Sequence, residues 1–452
     1  MDNALSRYYD GIKAAVEELR NTRSLGSTEW FQPGWDLPEP SEQLERFFAA
    51  AELSGGSLGE YRGRPLWFLN MTENPRTRTT KTFGSLLIVA RALQHTAATG
   101  EPVLLLTPSA ANKAVALRDA VLRAYETGLA TPETLRVTVV VPSSSLPKLW
   151  DSPMLANPAY AAANPIGVFD GSEREDVKKL ATGAVGLVAE EIRQATGFRV
   201  WYTLDPNNYM VADVVRAYYE RDALTPGERT RWHTHAVSSA YGFLGHDLGR
   251  RLAKRDGSWT ATGHARYLFV QHLETPDLVT GLRFGESTEH ALPDYEFDSD
   301  TGLMKQAGQT DPRFPSVCYS TEERLERTFY TRRPPTIPRV QELVTRQGGD
   351  GIVVSLHECL QRYQEVRHLL AKGGMTRLPE DPRKLREFAM VMSTVGALTA
   401  IDRGLVPEDE EILIHGSGAY SEGEFHSPDR CNLTPVAVPE DVAALLREAA
   451  KA

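Results

Sequence analysis

The stretch "MTENPRTRTTKTFGSLLIVARAL", Met71 to Leu93, is a polar run crowded with threonine and arginine that meets one lysine and turns at once into a helical pattern. A lysine at that junction, Lys81, holds its amine near the free N–H groups of a helix first turn and the positive end of the helix dipole. Such a place favours a neutral amine and attracts anions. Two meanings fit it. One is a solvated lysine behind a capping threonine, Thr79 or Thr80; the other is a nucleophilic lysine able to form a Schiff base with a carbonyl compound.

The segments around it alternate strand and helix patterns. "PLWFLN", "PVLLLTPS", "LRVTVVVPS" and "FRVWYTL" read as strands, separated by the helical runs "TFGSLLIVARALQHTAA", "NKAVALRDAVLRAYETG" and "KKLATGAVGLVAEEIRQATG". This alternation predicts an α/β fold with mostly parallel sheets. At 452 residues and 41% hydrophobic content the chain is expected to form two lobes, each with its own core. The section from about 285 to 338, rich in Asp, Pro, Thr and Arg, reads as an irregular insertion.

Composition narrows the function. A net charge of -10 argues against a nucleic-acid surface, and the longest apolar runs are of strand length, too short to span a membrane. The first residues are acidic and amphipathic and do not read as a signal peptide. Cys318, Cys359 and Cys431 are scattered, which fits a reducing cytoplasm and gives no cysteine-based metal set. No metal is expected.

Three further turns matter because each lies where a strand-like run ends. In "LLLTPSAANKAVALRDAV", residues Ser109, Ala110, Ala111 and Asn112 would leave backbone N–H groups at a strand's C-terminal end, where open α/β sheets bind ligands; those donors suit a carboxylate. In "HAVSSAYGFLGHDLGRRLAKR", Ser238, Ser239, Ala240, Tyr241 and Gly242 form a small-residue turn into a helix, suited to a phosphate. In "DEEILIHGSGAYSEGEF", an apolar strand breaks at "HGSG", placing His415 and Ser417 at its end.

In order and spacing these segments resemble the fold-type II pyridoxal-phosphate enzymes, the tryptophan synthase β-subunit superfamily, most closely its threonine synthase and cysteine synthase branches. "NPRTRTTK" stands where the family has N-P-T-G-S-F-K, "SAAN" where it has S-x-G-N, and "SSAYGFLG" where it has G-T-G-G-T. The resemblance implies two three-layer αβα lobes with pyridoxal 5'-phosphate in the cleft between them. It divides the chain into a large domain, 1–80 with 198–452, and a small mobile domain, 81–197.

It also implies roles. Lys81 would carry the Schiff base, Asn112 the contact with the cofactor's ring hydroxyl, and Ser238, Ser239, Ala240, Tyr241 and Gly242 the phosphate. Ser109, Ala110 and Ala111, with Thr80, would hold the substrate, and either His415 or Ser417 would face the pyridine nitrogen. Arg76 and Arg78, where the family has Thr-Gly-Ser, suit an anionic side chain or leaving group of an amino-acid substrate. The activity implied is threonine synthase-like β- or γ-elimination or replacement by a cytoplasmic homodimer. The alternative is a chain that kept the fold and lost catalysis for a binding or regulatory role.

Overall fold

"VLLLTP" forms the strand Val103–Pro108 and "LRVTVVVP" the strand Leu135–Pro142, and both are buried at every position. A strand can be buried on both faces only if helices cover both, which is the arrangement of a parallel sheet in an α/β protein. These two strands sit centrally in a five-stranded sheet whose neighbours are all parallel: Leu433–Val436, Ile166–Phe169, Leu135–Pro142, Val103–Pro108 and Arg199–Tyr202. On one face Leu104, Leu106 and Val140 pack against apolar residues of the helices Asp176–Thr196 and Pro439–Lys451. The helices Lys81–Thr99 and Asn112–Glu126 pack on each other, and the second also on the central strands.

This computed structural model describes residues 3–22, 30–171, 176–284, 292–308, 310–329, 331–375 and 378–452. The five-stranded sheet belongs to one of two units, made of Met1–Glu52, Asn74–Val215 and Gly423–Ala452. The division differs from the expected 1–80, 81–197 and 198–452. The C-terminal segment joins this unit because its strand Leu433–Val436 extends the sheet and its helix Pro439–Lys451 lies on Asp176–Thr196.

The other unit, Leu53–Glu73 and Arg216–Glu422, holds a six-stranded sheet in the order Ser54–Tyr61, Arg64–Asn70, Glu411–Gly416, Arg231–Ala236, Ala265–His272 and Gly349–Val354. Only the first pair is antiparallel. One face is apolar: Ile412, Ile414, Trp232 and Val270 meet the helix Ala389–Asp402. The opposite face carries His233, His235 and His415 and is covered by the helix Tyr241–Arg255.

The section expected to be an irregular insertion contains a small antiparallel sheet of Tyr295–Asp298, Leu303–Gln306 and Val317–Cys318. It is anchored by Phe314 and Cys318 packed with Leu273, Val279 and Val353. Residues 285–291, 309 and 330 of that section lie outside the described residues. Among the described residues no helix is long and apolar enough to cross a membrane.

Candidate functional site

In the first unit the lysine loop is stapled by Asn74. Its Oδ1 accepts from the Thr79 backbone N–H at 3.0 Å and the Thr77 hydroxyl at 2.9 Å, and its Nδ2 donates to the Thr79 carbonyl at 3.1 Å. Thr82 closes the loop, donating to the Thr79 carbonyl at 2.9 Å and standing 2.7 Å from the Thr77 hydroxyl. Lys81 is the first residue of the helix Lys81–Thr99, and its backbone N–H donates to the Thr79 hydroxyl at 3.3 Å. Thr80, the other capping candidate, makes no side-chain cap bond.

The Lys81 amine stands 4.9 Å from the centroid of the Tyr209 ring. Gly84 lets that ring lie against the helix, since a Cβ there would meet Tyr209 Cδ1 at 2.5 Å. A second amine shares the ring: Lys113 Nζ is 5.6 Å from its centroid and donates to the Thr203 carbonyl at 2.5 Å. Burial and the neighbouring Lys81 push the Lys113 amine well below the usual lysine range, with Asp205 opposing.

Asn112 opens the helix Asn112–Glu126, and the residue before it, Ala111, has φ 89° and ψ -59°, backbone that favours glycine. The Ser109 hydroxyl is engaged locally, accepting from the Ala114 N–H at 3.0 Å. Arg76 and Arg78 both have left-handed φ, 67° and 46°. The Arg76 guanidinium is bound to Glu126 at 2.9 and 3.1 Å and lies 2.7 Å from Asp119. It is committed to holding the loop against the helix Asn112–Glu126.

In the second unit Ser238 and Ser239 are half-buried, and Ala240 takes φ 55° immediately before the helix Tyr241–Arg255, whose N-terminus has no side-chain cap bond. Gly242 is required by Arg216: a Cβ there would come within 2.9 Å of Arg216 Nη2. Arg216 Nη1 in turn lies 3.2 Å from His415 Nδ1. His415 Nε2 is 3.1 Å from His233 Nδ1, and both rings are fully buried.

Near His233, the His246 ring bonds Glu220 at 2.7 Å and the Tyr267 hydroxyl at 3.0 Å, and Glu220 also accepts from Arg231 at 3.0 Å. Burial lowers His233, His246 and His415 below the ordinary histidine range, most strongly His233 and His415. Burial pushes Glu220 up, but His246, Arg231 and Arg250 outweigh it and hold the carboxyl below its usual range.

The nitrogens of His233, His246 and His415 lie within 4.8 Å of one another, a set of potential metal ligands that the sequence did not suggest. Hydrogen bonds already use most of them. A guanidinium only donates, so His415 Nδ1 must present a lone pair to Arg216, whereas a histidine ligating through Nε2 carries its proton on Nδ1. The cluster is built as a hydrogen-bonded chain.

Ser417, just beyond the strand Glu411–Gly416, is buried, and its hydroxyl has no hydrogen-bond partner among the described residues. Sequence reading missed Lys113, Tyr209 and the Arg216–His415–His233 chain. The available signal was alternation in "RWHTHA", which puts His233 and His235 on one face of a strand.

Comparison with solved structures finds threonine synthases. That of Escherichia coli matches with a TM-score of 0.55 at 17% identity, over 99% of this chain and 96% of that one. The pyridoxal-phosphate-bound threonine synthase of Brucella melitensis matches at 0.53 and 11% identity, over 98% and 89%; the yeast enzyme at 0.53 and 10%, over 91% and 84%. At such low identity the likeness shows the fold alone. No curated protein matches the chain. The model of a family of unknown function (DUF6002) matches residues 1–450, so the chain belongs to that family, and its fold is that of the fold-type II pyridoxal-phosphate enzymes.

Proposed function

We propose that this protein is a pyridoxal-phosphate-dependent enzyme catalysing elimination or replacement at the β or γ carbon of an amino acid. The observation that carries the reading is backbone strain. Eight non-glycine residues have positive φ among the described residues, and four of them, Arg76, Arg78, Ala111 and Ala240, fall in the three loops read as the cofactor's. A left-handed alanine or arginine costs roughly 1–2 kcal/mol, and such strain persists where the backbone shape itself is needed.

Within each unit the residues suit a part of the cofactor. Lys81 would bind its carbonyl carbon, and the backbone N–H groups of Ser239 to Gly242 would take the phosphate at the start of a 15-residue helix. Asn112 would hold the ring hydroxyl. Ser417, whose buried hydroxyl lacks a partner among the described residues, suits the pyridine nitrogen; His415 does not, since Arg216 and His233 already take its two ring nitrogens.

When bound, the cofactor supplies an electron sink for the substrate's α-carbon. Beside that carbon the Lys81 amine would act as general base for the α-proton. The Ser417 hydroxyl would give the pyridine nitrogen a hydrogen bond without giving up its proton, a neutral partner that suits loss of a leaving group. Ala110 and Ala111 would bind the α-carboxylate through backbone N–H groups, because the Ser109 hydroxyl serves the helix. Since Arg76 is held by Glu126 and Asp119, the role of meeting a second acidic group on the substrate goes to Arg78.

The test is the visible spectrum of the purified protein, followed by borohydride reduction and peptide mapping. A cofactor band with the label on Lys81 supports the reading. A colourless protein that takes up no added cofactor, or a label on another lysine, overturns it.

A further inference from the structure

Lys113 is a buried amine with no part in the reaction assigned to Lys81. It is 7% exposed, donates to one backbone carbonyl, Thr203 at 2.5 Å, and shares the Tyr209 ring with Lys81. An amine donating a single hydrogen bond in that setting keeps its lone pair available. We propose that Lys113 is a second functional amine of this site, the base that takes the proton Lys81 must lose before its nitrogen can attack a carbonyl carbon. The inference rests on the reading of Lys81 as the reactive lysine.

The step balances as a proton transfer. The Lys81 ammonium gives one proton to the Lys113 amine, leaving Lys81 neutral and nucleophilic and Lys113 an ammonium. Three features offset part of the cost of that charge: the Thr203 carbonyl accepts from it, the Tyr209 ring lies beside it, and Asp205 attracts it. Desolvation works against that charge, so the two amines hold one proton between them rather than two. Lys81, Asp205 and Tyr209 are the titratable groups that face Lys113.

The experiment uses the cofactor-free protein with pyridoxal phosphate as the probe aldehyde, following the rate of imine formation by absorbance from pH 6.5 to 10. Borohydride trapping locates the product. In Lys113→Met the rate at pH 7 is expected to fall tenfold or more, with the difference closing toward pH 10, where solvent deprotonates Lys81 unaided. Lys113→Arg keeps a cation that cannot accept a proton and should show the same pH-dependent loss; it serves if the methionine variant folds poorly. Superimposable profiles for wild type and variants, or a loss equal at every pH, overturn the proposal. Failure of the underlying reading looks different, because the wild-type product would then map to a lysine other than Lys81.

Discussion

Arg216 Nη1 stands 3.2 Å from His415 Nδ1, and because a guanidinium only donates, that contact fixes the proton of His415 on Nε2. His415 then donates to His233 Nδ1 at 3.1 Å, which leaves the His233 proton on Nε2, 3.9 Å from a Glu220 oxygen. A permanent cation thus sets two buried histidines in one neutral tautomer each. His415 has no nitrogen left for a ligand. Replacing His415 by Ala should cost about 2–4 kcal/mol, since it opens a cavity and leaves a buried donor, Arg216, and a buried acceptor, His233 Nδ1, without this partner. Ser417→Ala should leave the thermal midpoint nearly unchanged and shift the visible band or affinity of the bound cofactor. A spectral effect for His415→Ala with none for Ser417→Ala would reverse the assignment.

The same buried histidines make stability depend on pH in a definite direction. Unfolded, each titrates near 6.5; folded, His233, His246 and His415 stay neutral to lower pH, and burial holds His272 at about 4. The unfolded chain therefore takes up the protons first. Stability is full above about pH 6.5 and is lost as pH falls below it, each histidine contributing up to about 1.4 kcal/mol per pH unit. Glu220, held low, adds loss only as pH falls below the ordinary carboxylate range. Urea midpoints measured from pH 7.5 to 5 should drop steeply below 6.5, and a flat profile would mean that these histidines charge as readily folded as unfolded.

Strain in the loops can be relieved by the residue the backbone favours. Ala111→Gly and Ala240→Gly put glycine where φ is 89° and 55°, and each should raise unfolding free energy by about 1 kcal/mol. The gain should appear in the midpoint and leave the slope of the denaturation curve unchanged. A loss of stability would mean that these alanines make contacts worth more than the strain.

The two arginines of the lysine loop should separate. Arg76→Ala removes the partner of Glu126 and one of two partners of buried Asp119, and should cost on the order of 1–2 kcal/mol of stability while leaving the Michaelis constant alone. Arg78→Ala should raise the Michaelis constant for a substrate with a second acidic group tenfold or more, with little change in cofactor absorbance. If Arg78→Ala is kinetically silent, the anionic-substrate reading falls.

Lys81→Ala should abolish turnover and remove the visible band of the lysine-bound cofactor with the circular dichroism spectrum retained. Residual turnover in that variant would mean that another nucleophile holds the cofactor.

Much of this protein is legible in its chain. Fully buried parallel strands announce themselves as apolar runs such as "VTVVV", and helices by the spacing of their apolar residues, because both patterns are local. Hence the α/β class, the strand-to-helix turns and the position of Lys81 at a helix start could all be read from residues close in sequence. Convergence could not. His233 and His415 meet because the strands Arg231–Ala236 and Glu411–Gly416 are neighbours in the sheet, and Lys113 meets the ring of Tyr209 only once the helices are packed. Nor does residue type announce the backbone at Ala111 and Ala240, since alanine prefers the opposite sign of φ. There the tertiary structure overrides local preference, and it likewise binds Arg76, which the sequence offered to a substrate, to two carboxylates of a neighbouring helix that only folding brings within reach.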